Sequence, residues 1–153
     1  MSEEKTPPSP GESVPGPSVK PEAVPVDIAI REQILAQDPR YELAAYIFIY
    51  EALAYTQHVL GRDAPALTPA QRHVTGQELL NGIREYAAQM FGPLAPTVFR
   101  SWRVRRTEDF GEIVFNLVEH GLLGKTERDA REDFAGGFDF DQAFEAPLKT
   151  EPQ

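Results

Sequence analysis

Four arginines lie within a seven-residue segment and form the most distinctive chemical feature of this chain. They are Arg100, Arg103, Arg105 and Arg106, in the sequence RSWRVRR. A guanidinium group presents a planar set of N–H donors that binds a carboxylate or a phosphate through two parallel hydrogen bonds. The spacing therefore predicts a surface for an anionic partner, and these four arginines are the candidate partner-binding residues.

Nucleic acid is one anion that this segment could bind. The arginines fall between two predicted helices, as in the turn of a helix-turn-helix, where they would contact phosphates. The helix that follows, however, opens with Glu108, Asp109 and Glu112, whose carboxylates would repel the DNA backbone. Sequence-specific DNA recognition is therefore disfavoured, while RNA or a ribosomal surface remains the alternative partner.

Carboxylates are the other anion that these arginines could meet. They could belong to an acidic partner protein, or to Asp129, Glu132 and Asp133 in the acidic C-terminal part of this chain. We favour pairing with carboxylates over pairing with phosphates. The sequence leaves open whether the cluster is paired within the chain or available to another molecule.

A possible catalytic pair is formed by Glu51 and His58. They are seven positions apart on one predicted helix, so they share a face two turns apart. If this pair were buried it could transfer protons, which would make the chain an enzyme of unknown class. We favour a polar strip that faces solvent or a neighbouring helix, and we assign no catalytic residue.

The remaining imidazole and carboxylate groups lack the spacing of metal sites. His58, His73 and His120 form neither a Glu-x-x-His nor a His-x-x-x-His pair. Asp139 and Asp141 lack the Asp-x-Asp-x-Asp-Gly order of a calcium loop, and no glycine-rich phosphate loop follows a strand pattern. The sequence therefore predicts a non-catalytic protein without a metal or another cofactor.

Composition places the chain among globular proteins with an acidic surface. Of its 153 residues, 41% are hydrophobic and 25% are charged, and the net charge is −9. Residues 91–106 carry +4, whereas residues 1–27, 28–90 and 107–153 carry −3, −2 and −8. The chain has no cysteine, no signal-peptide pattern and no run apolar enough for a membrane span, so we expect a cytoplasmic protein that does not contact a membrane.

The chain divides into one helical domain and two tails. Residues 1–26 hold seven of the fourteen prolines and almost no large apolar side chain, so we expect a disordered Pro-rich tail. Residues 27–146 form the predicted helical domain, in which Asp27 caps a first helix, and residues 147–153 form a disordered C-terminus.

The longest segment without an interior proline or glycine is residues 40–60, and it predicts the central helix of a bundle. Asp38 is the predicted N-cap, Pro39 the first helical residue and Gly61 the residue just past the end. The segment is apolar around most of its circumference, and Phe48 lies at its centre. We therefore expect Phe48 to be buried by helices on more than one side.

A second core helix is predicted over residues 78–91. Thr75 and Glu78 have the spacing of a capping box, in which each side chain satisfies a backbone N–H group of the other residue. Apolar residues recur at three- and four-residue steps up to Met90 and Phe91. The helix should end at Gly92.

A third core helix is predicted after Thr107, which is its expected N-cap. Over residues 110–118 the apolar pattern places Leu117 on the inward arc, with Phe115 widening that arc and Asn116 outside it.

Shorter segments complete the predicted bundle. Residues 94–102 form a short helix in which Leu94 supplies an apolar contact and Trp102, the only tryptophan, anchors the core. A mainly charged helix is expected over residues 127–134. The segment FDFDQAF then contains three phenylalanines, which are too many to leave in water, so it should dock on the bundle.

Several of these segments, in their order, resemble a bacterial family restricted to planctomycetes and verrucomicrobia. The resemblance covers about residues 41–144 and is carried by YELAAYIFIYEALAYT, RHVTGQELLNGIREYAAQMFG, TEDFGEIVFNLVEHGLL, KTERDAREDF and FDFDQAF. It implies no activity and no site residues. In that family glycine is more common after the tryptophan, where this chain has Arg103.

The sequence as a whole predicts an all-α protein, a single compact bundle of five to six helices. Its expected function is a non-catalytic protein-interaction or adaptor module. We expect its partner to be another protein, with RNA or the ribosome as the alternative, and the pattern leaves the oligomeric state open.

Overall fold

Helices account for all the regular secondary structure in the computed structural model, which describes residues 24–124 and 131–145. The helices are α1 (Val26–Ala29, continued by a π-helical segment Ile30–Leu35), α2 (Leu43–Val59), α3 (Pro69–Arg72), α4 (Gly76–Phe91), α5 (Ala95–Ser101), α6 (Thr107–Glu119) and α7 (Phe140–Ala143), with 3₁₀ turns at Gly92–Leu94 and Arg131–Phe134. The predicted all-α fold is confirmed. The two predicted tails lie almost wholly outside the described residues.

The core forms where α2 packs against α4 and α6. Phe48 of α2 is 3% exposed, and Leu117 of α6 is fully buried, so both predicted core positions are confirmed. The ring centroid of Phe48 lies 5.4–6.5 Å from those of five other aromatic residues, Tyr86, Phe91, Phe99, Trp102 and Phe110. Tilted and edge-to-face ring pairs of this kind add to the stabilisation from burial alone.

The start of α2 differs from the prediction. Its N-cap is Glu42 and not Asp38, and the Glu42 side chain makes no capping hydrogen bond. The Asp38 carboxylate instead accepts hydrogen bonds from the Arg40 guanidinium at 2.9 and 2.8 Å and from the Asn116 amide at 3.1 Å. These contacts hold residues 38–42 as a turn. The predicted end is confirmed, because Gly61 follows α2 with a φ of 72°.

Other helix starts depend on their local sequence to different degrees. The capping box of Thr75 and Glu78 is confirmed at the start of α4. The prediction for Asp27 is wrong, because Pro25 occupies the N-cap position of α1 and Asp27 lies in the first turn.

The N-cap assignment of Thr107 is also wrong. The Asp109 carboxylate accepts hydrogen bonds from the backbone N–H groups of Arg105 and Arg106, at 2.8 and 3.2 Å, and so takes the capping role. Thr107 is 1% exposed, and its hydroxyl donates to the carbonyl of Phe134 at 2.6 Å. The Thr107 side chain, which the local pattern predicted as the N-cap of α6, therefore makes a tertiary contact instead.

The predicted environments of Phe115 and Asn116 on α6 are wrong, because Asn116 is buried and Phe115 is exposed. Asn116 is buried, and its amide donates to the Tyr46 hydroxyl at 3.0 Å and to the Asp38 carboxylate. Phe115 is 38% exposed, with the Arg131 guanidinium 4.2 Å from its ring centroid. The buried amide is tolerated because both acceptors satisfy its N–H groups.

The C-terminal phenylalanines dock on the bundle, as predicted. Phe140 and Phe144 are each 5% exposed, and their ring centroids lie 5.0 and 5.8 Å from that of Phe99. Of the charged helix predicted over residues 127–134, the described part is the 3₁₀ turn Arg131–Phe134, and residues 125–130 lie outside the described residues.

Candidate functional site

Arg100 lies in the last turn of α5, and Arg103, Arg105 and Arg106 lie on the connection between α5 and α6. Residues 100–106 are here called the arginine turn, and two of its four arginines are paired. The Arg100 guanidinium lies 2.9 Å from the Asp141 carboxylate. Arg103 lies 3.1 Å from the Glu42 carboxylate and donates to the carbonyl of Pro39 at 2.9 Å. These contacts tie the turn to α7 on one side and to the start of α2 on the other.

Arg105 and Arg106 form the second half of the turn and have no such partner. Both are exposed, and no described residue makes a side-chain hydrogen bond or an ion pair with either guanidinium. Intramolecular pairing through Glu132 or Asp133 therefore does not occur for these two arginines, and Asp129 lies outside the described residues. The predicted cluster thus consists of two structural arginines and two that have no partner among the described residues.

The backbone of the arginine turn has an unusual conformation. Among the described residues, Arg103 is the one non-glycine residue with positive φ, at 69°. A side chain in this left-handed region costs roughly 1–2 kcal/mol, which glycine does not incur. The contacts of the guanidinium with Glu42 and Pro39 offset part of this cost, and Val104 next to it is fully buried. The side-chain contacts of Arg103 and the burial of Val104 therefore stabilise this conformation of the turn.

The first two turns of α6 keep the negative charge that their sequence indicated. Glu108 accepts a hydrogen bond from the backbone of Gly136 at 3.1 Å, and Glu112 lies 3.2 Å from Arg131. Asp109 also accepts a hydrogen bond from the Tyr41 hydroxyl at 2.6 Å. Burial and this carboxylate raise the pKa of Tyr41, so its hydroxyl remains a donor at neutral pH. A nucleic-acid backbone that approached α6 would meet these carboxylates.

An open depression lies on the surface beside the arginine turn and is here called the aromatic depression. Its volume is about 360 Å³, and it is lined by Leu43, Ala44, Ile47, Phe48, Glu51, Phe91 and Trp102. The Trp102 ring centroid is 5.4 Å from that of Phe48 and 5.9 Å from that of Phe91. Trp102 therefore packs on the core, as predicted, while it also contributes to an accessible apolar surface.

Two exposed apolar side chains flank Phe91 in the sequence. Leu94 is 66% exposed and Met90 is 55% exposed, the highest values among the large hydrophobic residues that the structure describes. The sequence prediction missed this surface, because the helical period assigned Met90 to the buried arc of α4. The break at Gly92 was the available signal, since residues next to a helix end can project beyond the bundle.

Glu51 and His58 are not brought together as a catalytic pair. Glu51 is exposed and accepts a hydrogen bond from the Tyr86 hydroxyl at 3.2 Å. The His58 side chain is 79% exposed, and its Nδ1 lies 2.8 Å from the Asp63 carboxylate. Seven residues of helix separate the two side chains by about 10 Å along the axis of α2. Each is part of a separate surface contact.

Within residues 24–124 and 131–145, no group of three or more His, Asp or Glu side chains is arranged to hold a metal ion. In the same part of the chain, no helix is both long enough and apolar enough to cross a bilayer. The resemblance to the planctomycete and verrucomicrobial family stays a prediction. Comparison of this chain with protein-family models, with curated proteins and with solved structures gives no match.

Proposed function

We propose that this protein is a non-catalytic protein-interaction module whose arginine turn binds an acidic partner protein. The observation that carries the proposal is the division of the four arginines. Arg100 and Arg103 hold the turn in place, while Arg105 and Arg106 are exposed without a carboxylate partner among the described residues. A guanidinium that has no internal acceptor can give both of its parallel N–H groups to a carboxylate of another molecule.

The charge distribution favours an acidic protein segment that approaches from one direction. Residues 91–106 carry +4 in a chain whose net charge is −9, and Asp141 and Glu42 compensate two of these charges. Arg105 and Arg106 therefore attract an acidic partner that the remaining surface repels. Complementary charges of this kind mainly raise the association rate and select the orientation of binding.

Nucleic acid is the weaker candidate for the same arginines. Affinity for a phosphate backbone grows with the number of phosphates that the protein neutralises, and two of these four guanidinium groups already pair with carboxylates of the chain. Glu108, Asp109 and Glu112 also add negative charge immediately after them. RNA is therefore the disfavoured partner, and nuclease treatment tests for it.

The experiment compares capture of partners by the tagged full-length chain and by two matched variants. One variant carries Arg105→Ala and Arg106→Ala, and the control carries Arg31→Ala and Arg84→Ala, which remove the same charge from exposed positions elsewhere. We expect the first variant to capture at least about tenfold less partner than the wild type and the control, at an unchanged thermal midpoint. Exposed charges contribute little to stability, so a loss of folding would not explain this result.

Two outcomes would contradict the proposal. Equal capture by all three proteins would show that the arginine turn is not the binding site. Loss of capture after nuclease treatment would show that RNA carries the interaction.

A further inference from the structure

The aromatic depression has the physical character of a site for an apolar anchor. Its aromatic walls are held by packing, because Trp102 and Phe91 both contact the buried ring of Phe48. Met90 and Leu94 are both exposed and lie close in sequence to Phe91, which lines the depression. Exposed apolar surface of this kind often marks a protein-binding site, and rigid aromatic walls reduce the ordering cost of binding.

The depression and the two available arginines lie within reach of one short segment. Arg105 follows Trp102 by three residues, so their Cα atoms are at most about 11 Å apart. The chain between Trp102 and Arg105 is held in place at two points. The backbone N–H of Glu42 donates to the carbonyl of Trp102 at 3.3 Å, and the side chain of Val104 is buried. A helical segment of ten residues is about 15 Å long and would span this distance.

The charges around the depression determine the orientation in which a partner segment would bind. Arg103 compensates Glu42 next to Leu43, so this rim carries little net charge. Glu51 stands on the lining without a cationic partner among the described residues. Carboxylates of a partner would therefore be repelled on the Glu51 side and attracted towards Arg105 and Arg106.

A second copy of this chain does not supply a matching segment from its described residues. The sequence FDFDQAF alternates phenylalanines with acidic residues and has the right chemistry. Its Phe140 and Phe144 side chains, however, are each 5% exposed and pack on Phe99 of the same chain. Inserting them into a neighbouring molecule would require the C-terminal segment to leave its own core.

We infer that the aromatic depression binds a large apolar side chain from an acidic, amphipathic segment of the partner protein, whose carboxylates pair with Arg105 and Arg106. This inference rests on the proposed function and specifies its binding surface. Two separate contacts, one apolar and one ionic, fix the position and the direction of the segment. Buried apolar anchors surrounded by polar contacts carry most of the energy in protein interfaces of this kind.

Site-specific photo-crosslinking tests the inference in the full-length chain. A benzophenone amino acid replaces the exposed Leu94, three residues after Phe91 of the depression, and in the control protein it replaces Val59, which is 54% exposed at the end of α2. We expect a light-dependent cross-link from position 94 and none from position 59. The cross-linked peptide should come from another protein, carry net negative charge and contain a large apolar side chain.

A pair of substitutions measures the same contact without a photoreactive group. Met90→Ser with Leu94→Ser should reduce capture of the partner at least about tenfold, while the control Val59→Ser with Leu60→Ser leaves it unchanged. All four side chains are substantially exposed, so we expect equal thermal midpoints. A synthetic copy of the cross-linked peptide should shift the emission of Trp102, the only tryptophan, and bind more weakly at high salt.

The results distinguish failure of this inference from failure of the proposed function. If capture needs Arg105 and Arg106 but not Met90 and Leu94, and position 94 gives no specific cross-link, the inference is wrong while the proposed function stands. If capture needs neither pair, both are wrong. Cross-links from position 94 to RNA, to a second copy of this chain or to a peptide without acidic residues would also overturn the inference.

Discussion

A Cβ atom placed on Gly82 would lie 1.7 Å from Oγ1 of Thr56, so α2 and α4 approach each other too closely there for any side chain on α4. Thr56 is 3% exposed, and its hydroxyl donates to the carbonyl of Ala52 at 2.7 Å. The hydroxyl is thereby satisfied within α2, and it packs directly against the glycine. This contact sets the spacing of the two helices that carry much of the core.

Gly82→Ala should lower the free energy of unfolding by about 1–3 kcal/mol. Overpacking at this contact outweighs the gain of up to about 1 kcal/mol that alanine brings to a helix interior. Denaturant unfolding measures the change. The double variant Thr56→Ala with Gly82→Ala should be less impaired than the sum of the two single variants, because it removes the closest atom. A Gly82→Ala protein as stable as the wild type would contradict the close approach.

Truncation of the core should be costly at the two positions that sequence and structure both place there. Phe48→Ala and Leu117→Ala should each lower the free energy of unfolding by about 2–5 kcal/mol, because a large side chain is lost from a packed interior. Phe115→Ala, on the same helix as Leu117 but 38% exposed, is the control and should cost much less. Equilibrium denaturation showing less than about 0.5 kcal/mol for both core variants would refute the packing described above.

The strained backbone of Arg103 can be separated from its side-chain contacts by comparing two substitutions. Arg103→Ala and Arg103→Gly both remove the guanidinium that contacts Glu42 and Pro39. Only glycine also relieves the left-handed conformation at a φ of 69°. We therefore expect the glycine variant to be more stable than the alanine variant by roughly 1–2 kcal/mol in denaturant unfolding. Equal stabilities, or a more stable alanine variant, would show that the backbone there is not strained.

Stability should fall in acid because of the Glu78 carboxylate. Hydrogen bonds from the Arg62 guanidinium, at 2.7 and 3.0 Å, and from the backbone of Thr75 lower the pKa of Glu78 from 4.5 to about 2. A carboxyl group whose pKa is lower in the folded state stabilises the protein above its ordinary pKa, and this contribution is lost as the pH falls towards the folded-state value. We expect the free energy of unfolding to decrease as the pH is lowered from about 5 towards 2.

Glu78→Gln tests the assignment of this pH dependence. Glutamine can still accept the capping hydrogen bond from Thr75 but does not titrate. The variant should be less stable than the wild type at neutral pH and should lose less stability in acid. Glu32→Gln, at an exposed position of the π-helical segment after α1, is the matched control. If the acid-induced loss is as steep in Glu78→Gln as in the control, another group is responsible.

The local sequence predicts most of the helical segments and where several of them begin or end. The apolar period identified α2, α4 and α6, and the capping box of Thr75 and Glu78 located the start of α4. Glycine just past a helix correctly predicted the end of α2 at Gly61. These features depend on residues within one or two turns of each other, so the local pattern contains the physical information that is needed.

Which polar side chains pair within the chain depends on how the helices pack. The Asp38 carboxylate binds Arg40 nearby and Asn116 from α6, and the Thr107 hydroxyl binds the carbonyl of Phe134, so neither side chain takes its predicted capping role. The sequence located the arginine cluster, but it could not show that Arg103 pairs with a carboxylate of the chain whereas Arg105 has no such partner among the described residues. That difference depends on which carboxylates the fold brings within ion-pair distance, and side chains far apart in sequence meet only when the helices pack. The aromatic depression could not be predicted from the sequence either. The helical period shows which face of a helix is apolar, but it does not show where the bundle ends and leaves apolar residues exposed.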